Sequence, residues 1–154
     1  MEQKTNNKLM ITFAIIFVIS FVVIRLMQFY WSDANIVLDG NRLNVLIARN
    51  AEQQYKGLSD RDDLGEYDGM IFVYPNPFII GVVMRDMRFP IDVVWFYDNK
   101  VVDIAPNLQL EPGVSNEDLR VYFPRDKANM FLELEAGWVE EHQLKIGDTL
   151  EFIE

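Results

Sequence analysis

The chain has 154 residues, with 14 basic and 24 acidic side chains, one histidine and no cysteine. This length suits one domain rather than two. Without cysteine the protein has no disulfide framework, no thiol nucleophile and no thiolate zinc site. We also expect no resident metal and no cofactor.

The first predicted element is an apolar helix over residues 9–31. Nineteen of its 23 residues are apolar. At about 1.5 Å per residue such a helix covers roughly 34 Å, enough to cross a hydrocarbon core of about 30 Å. Lys4 and Lys8 precede it, so residues 1–8 are expected in the cytoplasm and residues 32–154 outside the membrane.

A cleaved signal sequence is the alternative to this signal anchor. Ser32 and Ala34 are small residues of the kind found at a cleavage site. However, Arg25 and the aromatic residues 29–31 lie between the apolar run and that site, and aromatics suit the headgroup layer. We therefore predict a single-pass cell-membrane protein that contacts the bilayer through residues 9–31, or a secreted protein if the chain is cleaved near Ala34.

The part that follows is acidic, since residues 31–154 contain 11 basic and 23 acidic side chains. Such a domain has no basic stripe to neutralise phosphates, which argues against a nucleic-acid partner. No low-complexity linker follows the apolar segment. The domain is therefore expected to lie close to the bilayer.

The acidic part has a β-rich pattern, because short apolar or alternating runs recur between turn signals. Asp39-Gly40 and Asp98-Asn99 each separate two such runs and predict two hairpins, since these residues tolerate positive φ. The predicted fold is mainly β, a compact β-sandwich or a partly open barrel with one or two short helices. The runs are ANIVL, LNVLIA, GMIFVY, FIIGVVM, IDVVWFY, KVVDIA, MFLEL and TLEFI.

Two short helices are predicted within this part. Asn50 and Gln53 have the spacing of a capping box, and Gly57 supplies a stop, so the first helix covers about residues 51–56. The second begins at Gly137 or Trp138 and ends near His142.

Three segments resemble one known family. They are GLSDRDDL, GMIFVY and MRDMRFPIDVVWFYDNKVVDI, and the closing blocks ANMFLELEAGW and LKIGDTL agree as well. In this order they resemble the domain of unknown function 192 family over about residues 35–153. The resemblance implies a compact β domain, often behind a signal or membrane anchor, and no established activity.

The chain departs from the family pattern around the central block. Ser59 stands where relatives usually carry methionine, and Val82 and Val83 stand where they carry an aromatic pair. The Lys-Asn-Thr that commonly follows is replaced by Arg-Asp-Met at residues 85–87. If this block forms a ligand pocket, the resemblance implies that its site is changed.

The central block supplies the candidate site. Asp86 and Asp92 flank Phe89-Pro90 in an expected extended loop. Both can act as paired carboxylates, for binding or for acid and base roles. The alternative is structural, with Asp92 capping loop amides or pairing with Arg61. The candidate ligand-binding residues are Arg61, Met84, Arg85, Asp86 and Asp92; Asp86 and Asp92 are the catalytic pair if the protein is an enzyme.

Two further features are weaker. The acidic loop 60–68 fails the EF-hand pattern, since Leu64 and Ile71 fall where oxygen ligands are required. A looser calcium site stays open beside a solvated acidic loop. His142 is expected to be an exposed helix residue, and the alternation of Glu133 and Glu135 with apolar residues is explained by a half-buried strand.

The first functional hypothesis is a membrane-anchored envelope protein whose outward-facing β domain binds a ligand or protein partner without catalysis. The second is a carboxylate-dependent hydrolase of envelope glycans that uses Asp86 and Asp92. The third is an assembly or quality-control subunit of a membrane complex, which predicts an exposed apolar patch. The expected partners are accordingly an envelope glycan or a membrane protein.

Overall fold

The computed structural model describes residues 2–28 and 31–153, with side chains described for 8–25 and 31–153. The predicted headgroup-layer residues Phe29 and Tyr30 lie outside this range. Helix α1, Glu2–Gln28, is one compact unit by itself. Its segment Lys8–Arg25 has a mean hydropathy of 2.3 and is long and apolar enough to cross a membrane. A membrane anchor and a signal sequence share this property.

The second unit is a mainly β domain built on a single sheet of seven strands. The strand order is β5-β4-β6-β3-β2-β1-β7, and every neighbouring pair is antiparallel except the parallel pair β2 and β3. The elements of this unit are β1 Ser32–Leu38, β2 Asn41–Ala48, α2 Ala51–Lys56, β3 Gly69–Phe78, β4 Ile91–Tyr97, β5 Lys100–Leu108, β6 Ala128–Glu135, α3 Trp138–Glu141 and β7 Leu150–Ile153.

Both predicted hairpins are present. Asp39 (φ 47°) joins β1 to β2, and Asp98 and Asn99 (φ 50° and 60°) join β4 to β5. Asp and Asn tolerate this left-handed region better than most other residues that carry a Cβ.

The sheet curls until its two outer strands meet at one end. The Val101 amide donates to the Asp148 carbonyl at 2.9 Å, and the Leu150 amide donates to the Asn99 carbonyl at 2.8 Å. One curled sheet closed in this way is a half-barrel, so the partly open barrel is the correct one of the two predicted architectures.

The sheet buries apolar side chains on both faces, because side chains alternate along each strand. The first core lies on one face and includes Val139 of α3 and Leu144 after it. The second core lies on the other face, under helix α2 and the loop 79–90. The first core includes Ile36, Leu38, Phe96 and Leu132, and the second includes Phe72, Trp95, Met70 and Phe131.

Both predicted helices are confirmed. Asn50 accepts from the Gln53 amide at 2.9 Å while the Gln53 side chain accepts from the Asn50 amide, which is the predicted capping box. Gly57, at φ 49°, ends α2. Helix α3 begins at Trp138, and His142 follows its last residue.

The run FIIGVVM was expected to be a strand, and this was wrong. Residues 79–90 form a loop that lies over the second core, and only Val82 makes an isolated bridge, to Tyr122. The Trp95 indole N–H, inside that core, donates to the Ile80 carbonyl at 3.0 Å. The run is apolar because the loop is buried against the sheet.

Candidate functional site

A cavity of about 210 Å³ lies between the second face of the sheet and the segments that cover it. Helix α2 and the turn after it form one side, the loop 79–90 forms another, and strands β3 and β6 form the floor. The residues that line it are Gln54, Tyr55, Lys56, Gly57, Leu58, Ser59, Phe72, Tyr74, Gly81, Val82, Val83, Arg85, Met87, Phe131 and Glu133.

Glu133 is the unusual residue of this cavity. It lies on β6, an interior strand of the sheet, opposite Met70 of β3 and Val93 of β4, so its side chain joins the apolar second face. It is only 6% exposed, and its Oε2 atom has no hydrogen-bond partner among the described residues. Burial raises the pKa of Glu133 to about 8, because an ionised carboxylate is poorly solvated there.

Aromatic rings stand beside this carboxyl group. Phe72 and Phe131 stack with their centroids 4.2 Å apart, and Tyr74 stacks on Phe131 at 6.3 Å. Burial raises the pKa of Tyr74, and the negative charge of Glu133 adds to this effect. The phenol and the carboxyl group are therefore electrostatically coupled across the cavity.

The polar side chains at the rim are already engaged. The Arg85 guanidinium lies 3.8 Å from the centre of the Tyr55 ring and donates to the Tyr55 carbonyl. The Ser59 hydroxyl donates to the Arg85 carbonyl at 2.7 Å, and the Lys56 ammonium pairs with Asp60. Gln54 donates its side-chain amide to Val73 of β3 at 2.9 Å.

A scan against protein families matches residues 34–152 to the DUF192 family, described as Uncharacterized ACR. The chain belongs to the DUF192 family. Among curated proteins, none matches the chain.

Two solved structures share the fold of this DUF192 domain. One, from Sinorhizobium meliloti 1021, is provisionally described as a transcription regulator. It is 23% identical in sequence and has a TM-score of 0.70. The match covers 79% of this chain and 95% of that one. The other, from Novosphingobium aromaticivorans DSM 12444, is a protein of unknown function, 26% identical, with a TM-score of 0.64 and a match over 79% and 84%.

The departures from the family pattern line the cavity. Val82 and Val83 stand in its wall, where the resemblance implies an aromatic pair, and Ser59 stands where it implies methionine. Valine and serine are smaller than the side chains that the resemblance implies at these positions. Part of the central block, Val82, Val83, Arg85 and Met87, thus borders this cavity.

Asp92, one of the predicted site residues, is fully buried and faces backbone amides. Its Oδ1 accepts from Asn107 at 2.7 Å, and its Oδ2 accepts from Gly137 at 3.1 Å and Val139 at 2.8 Å. This is the structural alternative, a carboxylate that caps loop amides. The other structural alternative, pairing with Arg61, is not observed: that guanidinium lies 5.5 Å from the Trp31 ring centre.

The remaining predicted site residues divide between two cavities. Arg85 lines the Glu133 cavity, whereas Met84 and Asp86 line a second one of about 200 Å³ that is bordered by residues 110–114. Asp86 is exposed and Asp92 is enclosed. Asp86 thus borders an open cavity, whereas Asp92 lines neither of the two cavities.

The acidic loop 60–68 directs its carboxylates to separate partners. Asp62 pairs with Arg88 at 2.7 Å, Asp63 accepts from the Gly65 amide at 2.8 Å, and Asp68 accepts from the Asn44 amide at 2.7 Å. Within residues 2–28 and 31–153, no three acidic or histidine side chains gather in a way that would hold a metal ion.

Sequence reasoning missed Glu133 and misjudged His142. Glu133 was explained by a half-buried strand, but its strand is covered on both faces. A signal was present, since Glu133 shares its face with Phe131 two residues earlier. His142 was expected to be exposed; it is half-buried and stacks on Trp138 with centroids 4.1 Å apart.

Proposed function

We propose that the chain is a single-pass membrane-anchored envelope protein whose outward-facing β domain binds a small ligand in the Glu133 cavity without catalysis. One observation carries the ligand-binding part of this proposal. Glu133 is buried at the base of an aromatic-walled cavity, and its Oε2 lacks a partner. A buried polar group without a partner costs about 1–3 kcal/mol, and a bound ligand would remove that cost.

The cavity also has the general character of a ligand site. Apolar and aromatic walls with one or two well-placed polar groups are typical of small-molecule sites. A carboxyl group with a strongly shifted pKa in a cleft marks such sites more often than it marks ordinary surface. The replacement of an expected aromatic pair by Val82 and Val83 supports a ligand that is specific to this member.

A ligand-observed NMR screen of small polar fragments tests the binding activity. It would compare the full chain in nonionic detergent micelles with the Val83→Trp variant, in which an indole fills the cavity. The family pattern implies that an aromatic side chain is tolerated at this position. Fragments that bind the unmodified chain and not the variant support the proposal, and a screen without any such fragment contradicts it.

The membrane part is supported by the apolar helix and by the lysines before it. Tagged protein should sediment with membranes and resist carbonate extraction, and its C-terminal tag should be accessible only from outside the cell. Release of a mature form that begins near Asn35 would contradict the anchor and indicate a cleaved signal.

An exposed apolar patch favours the assembly-subunit hypothesis as a second function. Phe123 is 61% exposed, Val121 lies beside it, and both side chains cover Gly81 of the loop. If this patch binds a membrane complex, then serine substitutions at Val121 and Phe123 should abolish co-purification of that complex. Glu133→Gln should leave co-purification unchanged.

A further inference from the structure

We infer that the Glu133 cavity takes a small organic cation, a primary amine whose ammonium group donates to the Glu133 carboxylate while its apolar part lies against the aromatic wall. This inference rests on the proposed ligand-binding function and names the chemical class of its ligand.

The protein's own donors in the cavity lining do not serve Glu133. Gln54 and Ser59 donate to backbone carbonyls, at 2.9 and 2.7 Å. The Arg85 guanidinium is held against Tyr55, and the Lys56 ammonium is held by Asp60. The hydroxyl groups of Tyr55 and Tyr74 do not bond to its Oε2 atom either, so a ligand that carries a hydrogen-bond donor can complete the ionised carboxylate.

The wall and the domain charge favour a charged donor over a neutral one. Phe72, Phe131 and Tyr74 line the cavity, and an aromatic ring attracts a cation that lies over its face within about 6 Å of the ring centre. The β domain carries 23 acidic against 11 basic side chains, and this net negative charge concentrates cations near its surface. The ring faces and the net negative charge of the domain would both repel an anionic ligand.

The cavity volume sets the size of the amine. A cavity of roughly 150 Å³ is known to hold benzene, and this one measures about 210 Å³. It is smaller than the sites of drug-sized ligands, which occupy about 300–1,000 Å³. An amine with a short aliphatic chain or one small ring fits.

Binding of an amine must be linked to proton release. An ammonium group pairs with the ionised form of Glu133, so the carboxyl group gives up its proton as the ion pair forms. The titratable or charged groups that share the cavity are Tyr55 and Lys56 of α2, Tyr74 of β3 and Arg85 of the loop. The released proton is expected to come from the Glu133 carboxyl group, because burial raises its pKa to about 8.

Isothermal titration calorimetry with n-butylammonium tests the inference on the full chain in nonionic micelles. At pH 7, titrations in buffers of different ionisation enthalpy should show close to one proton released per amine bound. The affinity should rise roughly tenfold between pH 6 and pH 7 and level off above the pKa of about 8. Glu133→Gln should lower the affinity at least tenfold and abolish proton release, whereas the exposed control Glu135→Gln should behave as the unmodified chain.

Two uncharged or anionic analogues separate this inference from the proposed function. If n-butanol or butyrate binds more tightly than n-butylammonium and the binding is lost in Val83→Trp, the cavity is a ligand site of another class and the cation inference is overturned. Binding of n-butylammonium that survives Glu133→Gln overturns it as well. If the amine fails while the fragment screen finds other ligands, only the present inference falls.

Discussion

The conversion of Asp92 to asparagine tests how far one buried carboxylate holds the β domain together. Its two oxygens accept three amide hydrogen bonds, from Asn107, Gly137 and Val139. These amides come from the end of β5 and from the start of α3. Asparagine has nearly the same shape, but one of its two polar atoms donates instead of accepting.

Neither orientation of the new amide preserves all three bonds. If its oxygen stays on Gly137 and Val139, its NH₂ group faces the Asn107 amide, and two donors oppose each other. If it turns over, two bonds are lost. A buried donor left without a partner costs about 1–3 kcal/mol. We therefore expect Asp92→Asn to lower the free energy of unfolding by roughly 2–4 kcal/mol, or about 10 °C in Tm for a domain of this size.

The assay is urea or thermal denaturation of the full chain in detergent micelles, followed by tryptophan fluorescence. The matched control is Asp39→Asn, in an exposed hairpin turn at φ 47° that asparagine also tolerates. The control should unfold at the same temperature or urea concentration as the unmodified protein. If the Tm of Asp92→Asn also lies within about 1 °C of that of the unmodified protein, the three hydrogen bonds contribute little to stability and the reasoning is refuted.

Other predictions concern single groups. The pKa of Glu133 in the folded chain is about 8, above its ordinary 4.5. The free energy of unfolding should therefore fall by roughly 4–5 kcal/mol as the pH rises from 4.5 to 8. In denaturation measured at several pH values, Glu133→Gln should remove most of this dependence on pH. Burial alone would raise the pKa of Asp103, yet hydrogen bonds from Arg125 hold it below its ordinary 3.8. Asp103→Asn should therefore lower the free energy of unfolding by about 2 kcal/mol at pH 7. The difference in stability between the two proteins should disappear as the pH falls through the lowered pKa of Asp103. A constant difference down to pH 2 would show that the negative charge does not contribute. Asn50→Ala should cost about 1 kcal/mol through the loss of the α2 cap, and unchanged urea midpoints would show that the cap is redundant.

Local chemistry explains which parts of the fold could be predicted. The turns at Asp39 and Asp98 and the capping box at Asn50 depend only on residues within four positions of one another, so their signals lie within short windows of sequence. The loop 79–90 could not be predicted in the same way, because a buried loop and a buried strand are equally apolar.

The candidate site depended on long-range pairing. Glu133 becomes significant only when β6 lies between β3 and β4, which places Met70 and Val93 beside it. Asp92 was predicted to be either a site residue or a cap of loop amides. The structural role follows from its hydrogen bonds with Gly137 and Val139, which lie more than 40 positions away in the sequence. The spacing of residues along the chain does not show which distant residues come into contact.

The way the curled sheet ends limits how this domain can meet another protein. Strands β5 and β7 would otherwise present unpaired backbone groups, but the segment 147–150 bonds to residues 99–101. Farther along β5, the Asp103 carboxylate binds the backbone and guanidinium of Arg125. An extended peptide therefore finds little free edge on which to add a strand. A partner must be recognised through side chains and surface shape, and the same closure protects a disulfide-free domain from pairing with its own copies.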